Sequence, residues 1–435
     1  MKTFAIIGGG AAGMMAAVAL KEVASEAEVL LFEKNHYLGA KVIISGGGRC
    51  NVTTGICDVR KLLENYPRGA KFLMSAMFRF PPDKVMQWFE EHGVRLKTQE
   101  DLRVFPRSNN GKDIVGALEK TLRDQSVQII LKAQVVKITL KDGKSGHDDK
   151  SDNQGDIHNK KFEISLKDGS KYGADSVILT TGGNAYRQTG STGDGYAFAK
   201  SLGHTLTELR PSLHSFVAAE KWLVDLAGVG FEKAVIVLSS YDGERVYKRT
   251  GSFLFTHQGV TGPAIFAISS QAAYEDFDLG KPMLLSINFF PDESMADLEK
   301  HFCALANEHG KKRLINFVDL FLPKSLCGLV LKLADLKPDM VVGQLTKQQR
   351  QKLLKLWQNF SLQVVGRGAG DEFVTAGGIS LSEVNTNTME SKICSGLYFA
   401  GEILDIDGFT GGFNLQASWA TGRLAGESMG SINRK

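Results

Sequence analysis

No stretch of this 435-residue chain is long and apolar enough to cross a bilayer. Runs such as Val177–Leu179 and Leu284–Leu285 fall far short of the ~20 residues a spanning helix needs. Cysteine is scarce too. The five present (Cys50, Cys57, Cys303, Cys327, Cys394) are odd in number and lack ligand spacing. That excludes a disulfide framework and a zinc site and fits a reducing cytosol, so no metal is expected and a cytoplasmic location is. An excess of one charge is also missing: 52 basic against 48 acidic residues leave +4. This balance marks neither a nucleic-acid nor a membrane surface. The start, Met-Lys-Thr-Phe-Ala-Ile-Ile, has the look of a signal peptide, but its apolar run stops at Gly8-Gly9-Gly10 and reads as a buried strand. No repeat period is visible.

What is present begins with a compact β-α-β unit. Residues 3–7 form a continuous apolar strand, residues 11–23 a helix of small residues, and Ala27 to Glu33 a second buried strand. Between them lies Gly8-x-Gly10-x-x-Gly13, with Glu33 twenty residues beyond Gly13. Each part has a physical role in holding a dinucleotide. Gly8 makes the tight turn, Gly10 admits the pyrophosphate, Gly13 lets helix and strand pack closely, and Glu33 accepts from a ribose hydroxyl. The anion rests on the free N–H groups of the helix, including those of Ala11 and Ala12. An acidic Glu33 argues against a 2′-phosphate there.

Further along, helical patterns cover 83–92 and 112–124, and strands are expected at Val127–Ile138, Phe162–Leu166 and 175–179. Lys141–Lys161, with His147 and His158, reads as a solvated excursion between strands. After residue 200, short runs at Ala234–Ser239, Gly251–Phe255 and Met283–Phe290 indicate a small β domain, closed by Pro291. From Met295 to Trp357 the period turns helical, about four short helices. A strand returns at Leu362–Val365, and 397–428 read as strand, glycine loop and helix. The domains expected are therefore 1–200 and 374–435 for the nucleotide, 201–291 and 359–373 for the β-rich insert, and 292–358 for a nested helical domain.

A second glycine block, Ser45-Gly46-Gly47-Gly48-Arg49-Cys50-Asn51, follows Glu33 closely, and the far end returns with Gly401-Glu402 and Gly411-Gly412-Phe413-Asn414. An extended dinucleotide crossing a sheet needs backbone approach at several such places, which points to FAD rather than NAD. Glu402 suits the ribityl hydroxyls. The N–H groups opening the last helix suit the flavin N1/C2=O edge, where they stabilise the negative charge of the reduced ring. No second G-x-G-x-x-G follows a strand, so NAD(P)H would act only as a transient electron donor.

The sequence resembles the HI0933-like (BaiN/YhiN-like, aminoacetone-oxidase-like) family of FAD-dependent oxidoreductases. The segments that carry the resemblance are KVIISGGGRCNVT (41–53), RVFPRS (103–108), TTGGNAYRQTGSTGDGYAFAKSLGH (180–204), FLFTHQGVTGP (253–263) and 374–422 with VTAGGIS, TMESK and GEILDIDGFTGGFNLQAS. The resemblance implies an α/β fold: a glutathione-reductase-like Rossmann-type FAD-binding domain with a single dinucleotide site, a β-rich insert and a nested helical domain. It implies hydride transfer through flavin N5 between a small-molecule substrate or NAD(P)H and oxygen or another acceptor. The FAD set it implies adds Lys34, Lys41, Val135, Thr181, Gly182, Gly183, Asp194, Asp405 and Gln416. Arg187, Glu208, Ser252 and Thr54 depart from the family pattern on the substrate side. Thr181-Gly182-Gly183 with Thr192-Gly193-Asp194-Gly195 also resembles fumarate-reductase-like flavoproteins, and Asp194 is there expected as a helix N-cap.

For catalysis the residues singled out are His257 and Arg49. His257 serves proton transfer or substrate binding, or is a turn histidine bonded to backbone. Arg49 orients an anionic substrate or offsets reduced-flavin charge, or pairs with a carboxylate such as Asp405. Cys50 and Cys57 have six residues between them rather than four, against a redox disulfide. A different class of function, flavin-dependent RNA modification or RNA binding, rests on Lys311, Lys312, Arg313, Lys347, Arg350 and Lys352; such a run is more often a solvated helix face. Nothing in the sequence fixes the oligomeric state.

Overall fold

The computed structural model describes residues 1–141, 160–368 and 373–431. The excursion read at 141–161, with His147 and His158, falls almost wholly outside them. By contacts the chain divides into two compact units, Met1–Pro211 with Phe373–Lys435, and Ser212–Glu372.

The first unit is built on a five-stranded parallel sheet in the order Leu397–Phe399, Ser176–Leu179, Thr3–Ile7, Glu28–Phe32, Gln128–Ile130. Its central strand is buried along its whole length, as the unbroken apolar run required. The first helix, Ala11–Val23, is made of small residues because the C-terminal helix, Phe413–Ser431, packs along it with backbone almost touching backbone. A Cβ on Gly422 would fall on the Ala12 carbonyl, and one on Gly426 on the Ala16 carbonyl, one turn further along. Gly426→Val should therefore lower stability by about 2–3 kcal/mol, read as a shifted urea midpoint, whereas an unchanged midpoint would contradict this packing.

The run Val127–Ile138 is two strands rather than one. It breaks at Lys132, a non-glycine residue with φ +56. The N–H groups of Lys132 and Ala133 donate to the carbonyls of Asn35 (2.8 Å) and Glu33 (2.9 Å), which turns the chain out of the parallel sheet. Val135–Leu140 then joins Phe162–Leu166 and Lys171–Ala174 in a separate antiparallel sheet.

Beside the outer strand Leu397–Phe399, buried His204 lies between Ser391 Oγ (Nε2, 2.8 Å) and Glu383 Oε2 (Nδ1, 3.2 Å). Burial holds its imidazole below the usual value, against the smaller upward pull of Glu383. The folded chain therefore binds this proton less readily than the unfolded one. The contribution is full above the ordinary imidazole pKa of about 6.5 and is lost as pH falls through the lowered folded value. His204→Gln should flatten the decline of the urea midpoint below that pH; an unaltered slope would contradict it.

The second unit is a closed six-stranded antiparallel barrel, in the order Phe216–Ala218, Gly259–Thr261, Val246–Phe255, Gly230–Ser239, Met283–Asn288, Phe360–Arg367. Three strands outrun the apolar segments seen in sequence because alternate residues face water: Lys248 and Thr250 are exposed, while Phe253 and Phe255 point into the core. The run Met283–Phe290 instead ends as strand at Asn288. Helix Pro263–Gln271, not foreseen, buries Ile265 and Ile268 in the same core. Helices Met295–Glu308, Leu314–Val318, Lys324–Leu333 and Lys347–Gln358 are inserted between the last two strands. Their apolar faces are continuous with the barrel core through Phe289, Phe302, Trp357 and Phe360.

Candidate flavin site

The glycine turn is shaped for an anion. Gly8 sits at φ +112, where a Cβ would lie 2.6 Å from the Thr180 carbonyl oxygen. A Cβ on Gly13 would overlap the Gly8 carbonyl oxygen, so this glycine sets how closely the helix approaches the strand. At Gly10 the opposite holds: nothing lies within 4 Å of where its Cβ would be. Gly10 caps the first helix without a side-chain bond, so the first N–H groups, from Ala11 onward, face that open space. This is a cradle a side chain would fill, and it fits a pyrophosphate. Glu33 stands beside it, its Oε2 accepting from Gly9 N (2.8 Å) and its Oε1 from Asn35 N (2.8 Å). Each oxygen keeps a lone pair for a ribose hydroxyl. Val135 follows the 132–133 link that anchors this corner, with its side chain buried.

Two lysines draw distant segments together. Lys34 Nζ bonds Asp194 Oδ2 (2.7 Å) and Thr192 Oγ1 (2.6 Å). Asp194 is not the helix cap: Gly193 is, and Asp194 is the first helical residue, its carboxyl held below the usual range despite burial. Lys41 Nζ bonds Glu402 Oε2 (2.7 Å), and Glu402 Oε1 accepts from Thr375 N (3.0 Å). A Cβ on Gly183 would meet Thr375 Oγ1 at 2.6 Å and Glu402 Oε1 at 3.0 Å, while Gly182 turns at φ +75 against Ser191. Among the described residues, buried Thr181 Oγ1 and Asp405 Oδ1 have no hydrogen-bond partner, as expected of groups that face a ligand or water. Burial raises the Asp405 carboxyl above its ordinary range.

The C-terminal segment closes the site. Gly401 N donates to Thr421 Oγ1 (3.0 Å). Gly411 and Gly412 lead into the last helix, and a Cβ on Gly412 would overlap the Thr53 carbonyl. Asn414 holds the loop from within, accepting from Gly408 N (2.9 Å) and donating to Gly408 O (2.7 Å). The Phe413 carbonyl accepts from Tyr66 OH (2.7 Å). Gln416 turns inward: its amide accepts from Thr53 Oγ1 (2.6 Å) and donates to Phe80 O (2.8 Å) in full burial. It is a brace for the Thr53 strand.

In the second glycine block, Ser45 Oγ donates to Val42 O (2.7 Å) and Asn51 Oδ1 accepts from Val104 N (3.3 Å). Cys50 is wholly buried, its thiol pushed up to about 12 by desolvation, and Cys57 is a separate exposed thiol. This is no thiolate nucleophile. Arg49 does not pair with Asp405. Its guanidinium lies 4.2 Å from the Phe105 ring centroid, and its Nε donates to Gly46 O (3.3 Å).

Of the two residues singled out for catalysis, His257 lies in the second unit. It is exposed at the tip of the hairpin joining Val246–Phe255 to Gly259–Thr261, where Thr256 N bonds Gly259 O (2.8 Å). Its imidazole makes no hydrogen bond among the described residues, so the backbone-bonded alternative does not hold.

Several contributors were not read from the sequence. Thr180 Oγ1 donates to Gly8 O (2.8 Å), Thr375 positions Glu402, and the loop before Gly411 is locked by Arg68 on buried Asp407. Thr375 lies in VTAGGIS and was within reach; Tyr66 and Arg68 lie in a stretch with no motif.

A single Rossmann-type dinucleotide site, built from both ends of the chain around a parallel sheet, defines an FAD-dependent oxidoreductase. Residues 2–428 match the family described as HI0933-like protein Rossmann domain, and the chain belongs to it. It is 30% identical over 430 residues to the 3-dehydro-bile acid delta(4,6)-reductase of Clostridium scindens, covering 98% of this chain and 99% of that one. It is 28% identical over 417 residues to the ribosomal RNA dihydrouridine synthase of Escherichia coli, covering 96% and 95%. In fold it is similar to the 3-ketosteroid-delta4-(5alpha)-dehydrogenase of Rhodococcus jostii, with a TM-score of 0.51, 15% identity, and 99% and 97% of the chains covered. No helix among the described residues is long and apolar enough to cross a membrane.

Proposed function

We propose that this protein saturates a carbon–carbon double bond conjugated to a carbonyl, taking its electrons from NAD(P)H. The observation that carries the reading is the chemistry shared by two relatives' names. A delta(4,6)-reductase of a 3-dehydro acid removes alkenes conjugated to the 3-ketone. Dihydrouridine arises by saturation of the uracil 5,6 bond, conjugated to its carbonyl. FAD, when bound and reduced by NAD(P)H, would supply a hydride to the β-carbon, and the α-carbon would take its proton from water. The chain's residues then have these parts: the Gly8–Gly13 turn holds the pyrophosphate, and Glu33 the adenosine ribose. Glu402, steadied by Lys41 and Thr375, holds the ribityl hydroxyls, and the start of the last helix lends positive potential to the flavin N1/C2=O edge. A single fingerprint makes the nicotinamide a transient visitor. Stopped-flow mixing with NADH or NADPH without oxygen should bleach the flavin; a flavin that neither nucleotide reduces refutes this part of the reading.

A second reading takes the acceptor as a uracil within RNA. It is favoured by the second relative and by residues 309–357, where ten lysines and arginines face three aspartates. Titration with ribosomal RNA across salt concentrations separates the two: a steep salt dependence supports it, and no binding near physiological salt removes it.

A further inference from the structure

Arg49 is held in a way that its surroundings do not use. Its guanidinium stacks on Phe105, a fully buried ring in the strand Arg103–Pro106, with centroid distance 4.2 Å. Its Nε is spent on Gly46 O at 3.3 Å. Its two terminal nitrogens have no partner among the described residues, and no carboxylate lies within ion-pair reach. Arg103 shares the same ring at 5.7 Å but is neutralised by Asp101, its Nε donating to Oδ2 at 2.6 Å. The remaining positive charge is that of Arg49.

The backbone before it is open. Gly46, Gly47 and Gly48 are exposed, and all three are left-handed, φ +57, +70 and +85. Nothing lies within 4 Å of a Cβ at Gly47 or Gly48. A stacked arginine whose two terminal nitrogens make no hydrogen bond among the described residues, beside bare backbone, is an arrangement suited to a planar or tetrahedral oxyanion.

We propose that Arg49, with the bare backbone of Gly47 and Gly48, binds an oxyanion of an incoming reactant, a phosphate or a carboxylate. The proposal rests on the oxidoreductase reading above but not on its enone. A phosphate would come from the nicotinamide donor, a carboxylate from the acceptor.

The test uses holoenzyme: wild type, Arg49→Gln and Arg49→Lys, each checked for FAD per chain from its visible spectrum. Calorimetry measures the Kd of NADP+, of a 3-oxo bile acid and of its methyl ester. We expect Arg49→Gln to weaken at least one anion about tenfold or more, with the ester unchanged and FAD retained. Arg49→Lys, which keeps the charge and loses the fork, should fall between. Loss confined to NADP+ assigns the phosphate, and loss confined to the acid assigns the carboxylate. The proposal is overturned if wild type binds neither anion, if both variants bind as wild type does, if acid and ester weaken equally, or if both variants lose FAD. The enone reading fails separately, when reduced wild type is not reoxidised by the ketone; the binding constants stand whatever that outcome.

Discussion

Gly13→Val should yield a protein that retains no FAD and is destabilised by about 3 kcal/mol or more. The new Cβ would occupy the position of the Gly8 carbonyl oxygen and come within 2.6 Å of Thr180 Oγ1. Neither neighbour has room to give. The one proton of Thr180 Oγ1 is already shared between Ile7 O (3.0 Å) and Gly8 O (2.8 Å), and Gly8 N is fixed to Phe32 O (2.8 Å). The first helix must lift off the central strand, carrying its N–H groups away from the pyrophosphate. Gly10→Ala separates fold from ligand. Its methyl meets no protein atom within 4 Å, so the chain should fold as before, yet the methyl enters the space the pyrophosphate needs. Gly10→Ala should therefore keep the urea midpoint of the flavin-free protein while binding FAD at least tenfold more weakly. FAD retained at wild-type affinity by both variants would contradict the assignment of the turn.

Asp407→Ala is the second large effect, a loss of about 3–5 kcal/mol. The Asp407 side chain is wholly buried and meets Arg68 through both oxygens, and the Arg68 side chain is only 16% exposed. Removing the carboxylate takes a two-oxygen partner from a largely buried guanidinium. It also frees the loop that Phe409 N ties to Asn65 O (2.9 Å), just ahead of the Gly411-Gly412 turn. FAD affinity should fall with stability. The paired replacement Arg68→Met with Asp407→Leu should recover most of the stability, because both charges of the buried pair are removed together. A loss below about 1 kcal/mol in the single variant, measured by urea unfolding, would show that the pair does not hold the loop.

The two replacements also mark what was legible in the sequence. Gly8, Gly10, Gly13 and Glu33 belong to one local β-α-β unit, where an apolar strand, a small-residue helix and a fixed spacing all point to one geometry. Arg68 and Asp407 are 339 residues apart, and no local pattern announces such a pair. The same limit explains Arg49. A carboxylate partner was a reasonable alternative by charge, but an aromatic ring from a distant strand took the guanidinium instead. Asp194 has the residue type of a helix cap. Gly193, left-handed at φ +82, took that place and released the carboxylate to Lys34. In the barrel, three apolar runs were read too short, since half of each strand faces water; the run Met283–Phe290 was read two residues too long, and the short strands Phe216–Ala218 and Gly259–Thr261 were not read. Val127–Ile138 looked continuous because apolar periodicity does not register a single left-handed lysine.

Hydride transfer from reduced flavin to a conjugated acceptor is the reaction proposed for this protein. It is tested most directly by reducing the holoenzyme with dithionite, without oxygen, and mixing it with a 3-oxo-4,6-diene bile acid in a stopped-flow instrument. The visible flavin band is expected to return while the dienone absorbance falls in equal molar amount. A flavin that stays reduced with the dienone and with uridine-containing RNA, yet reoxidises at once in air, would contradict it.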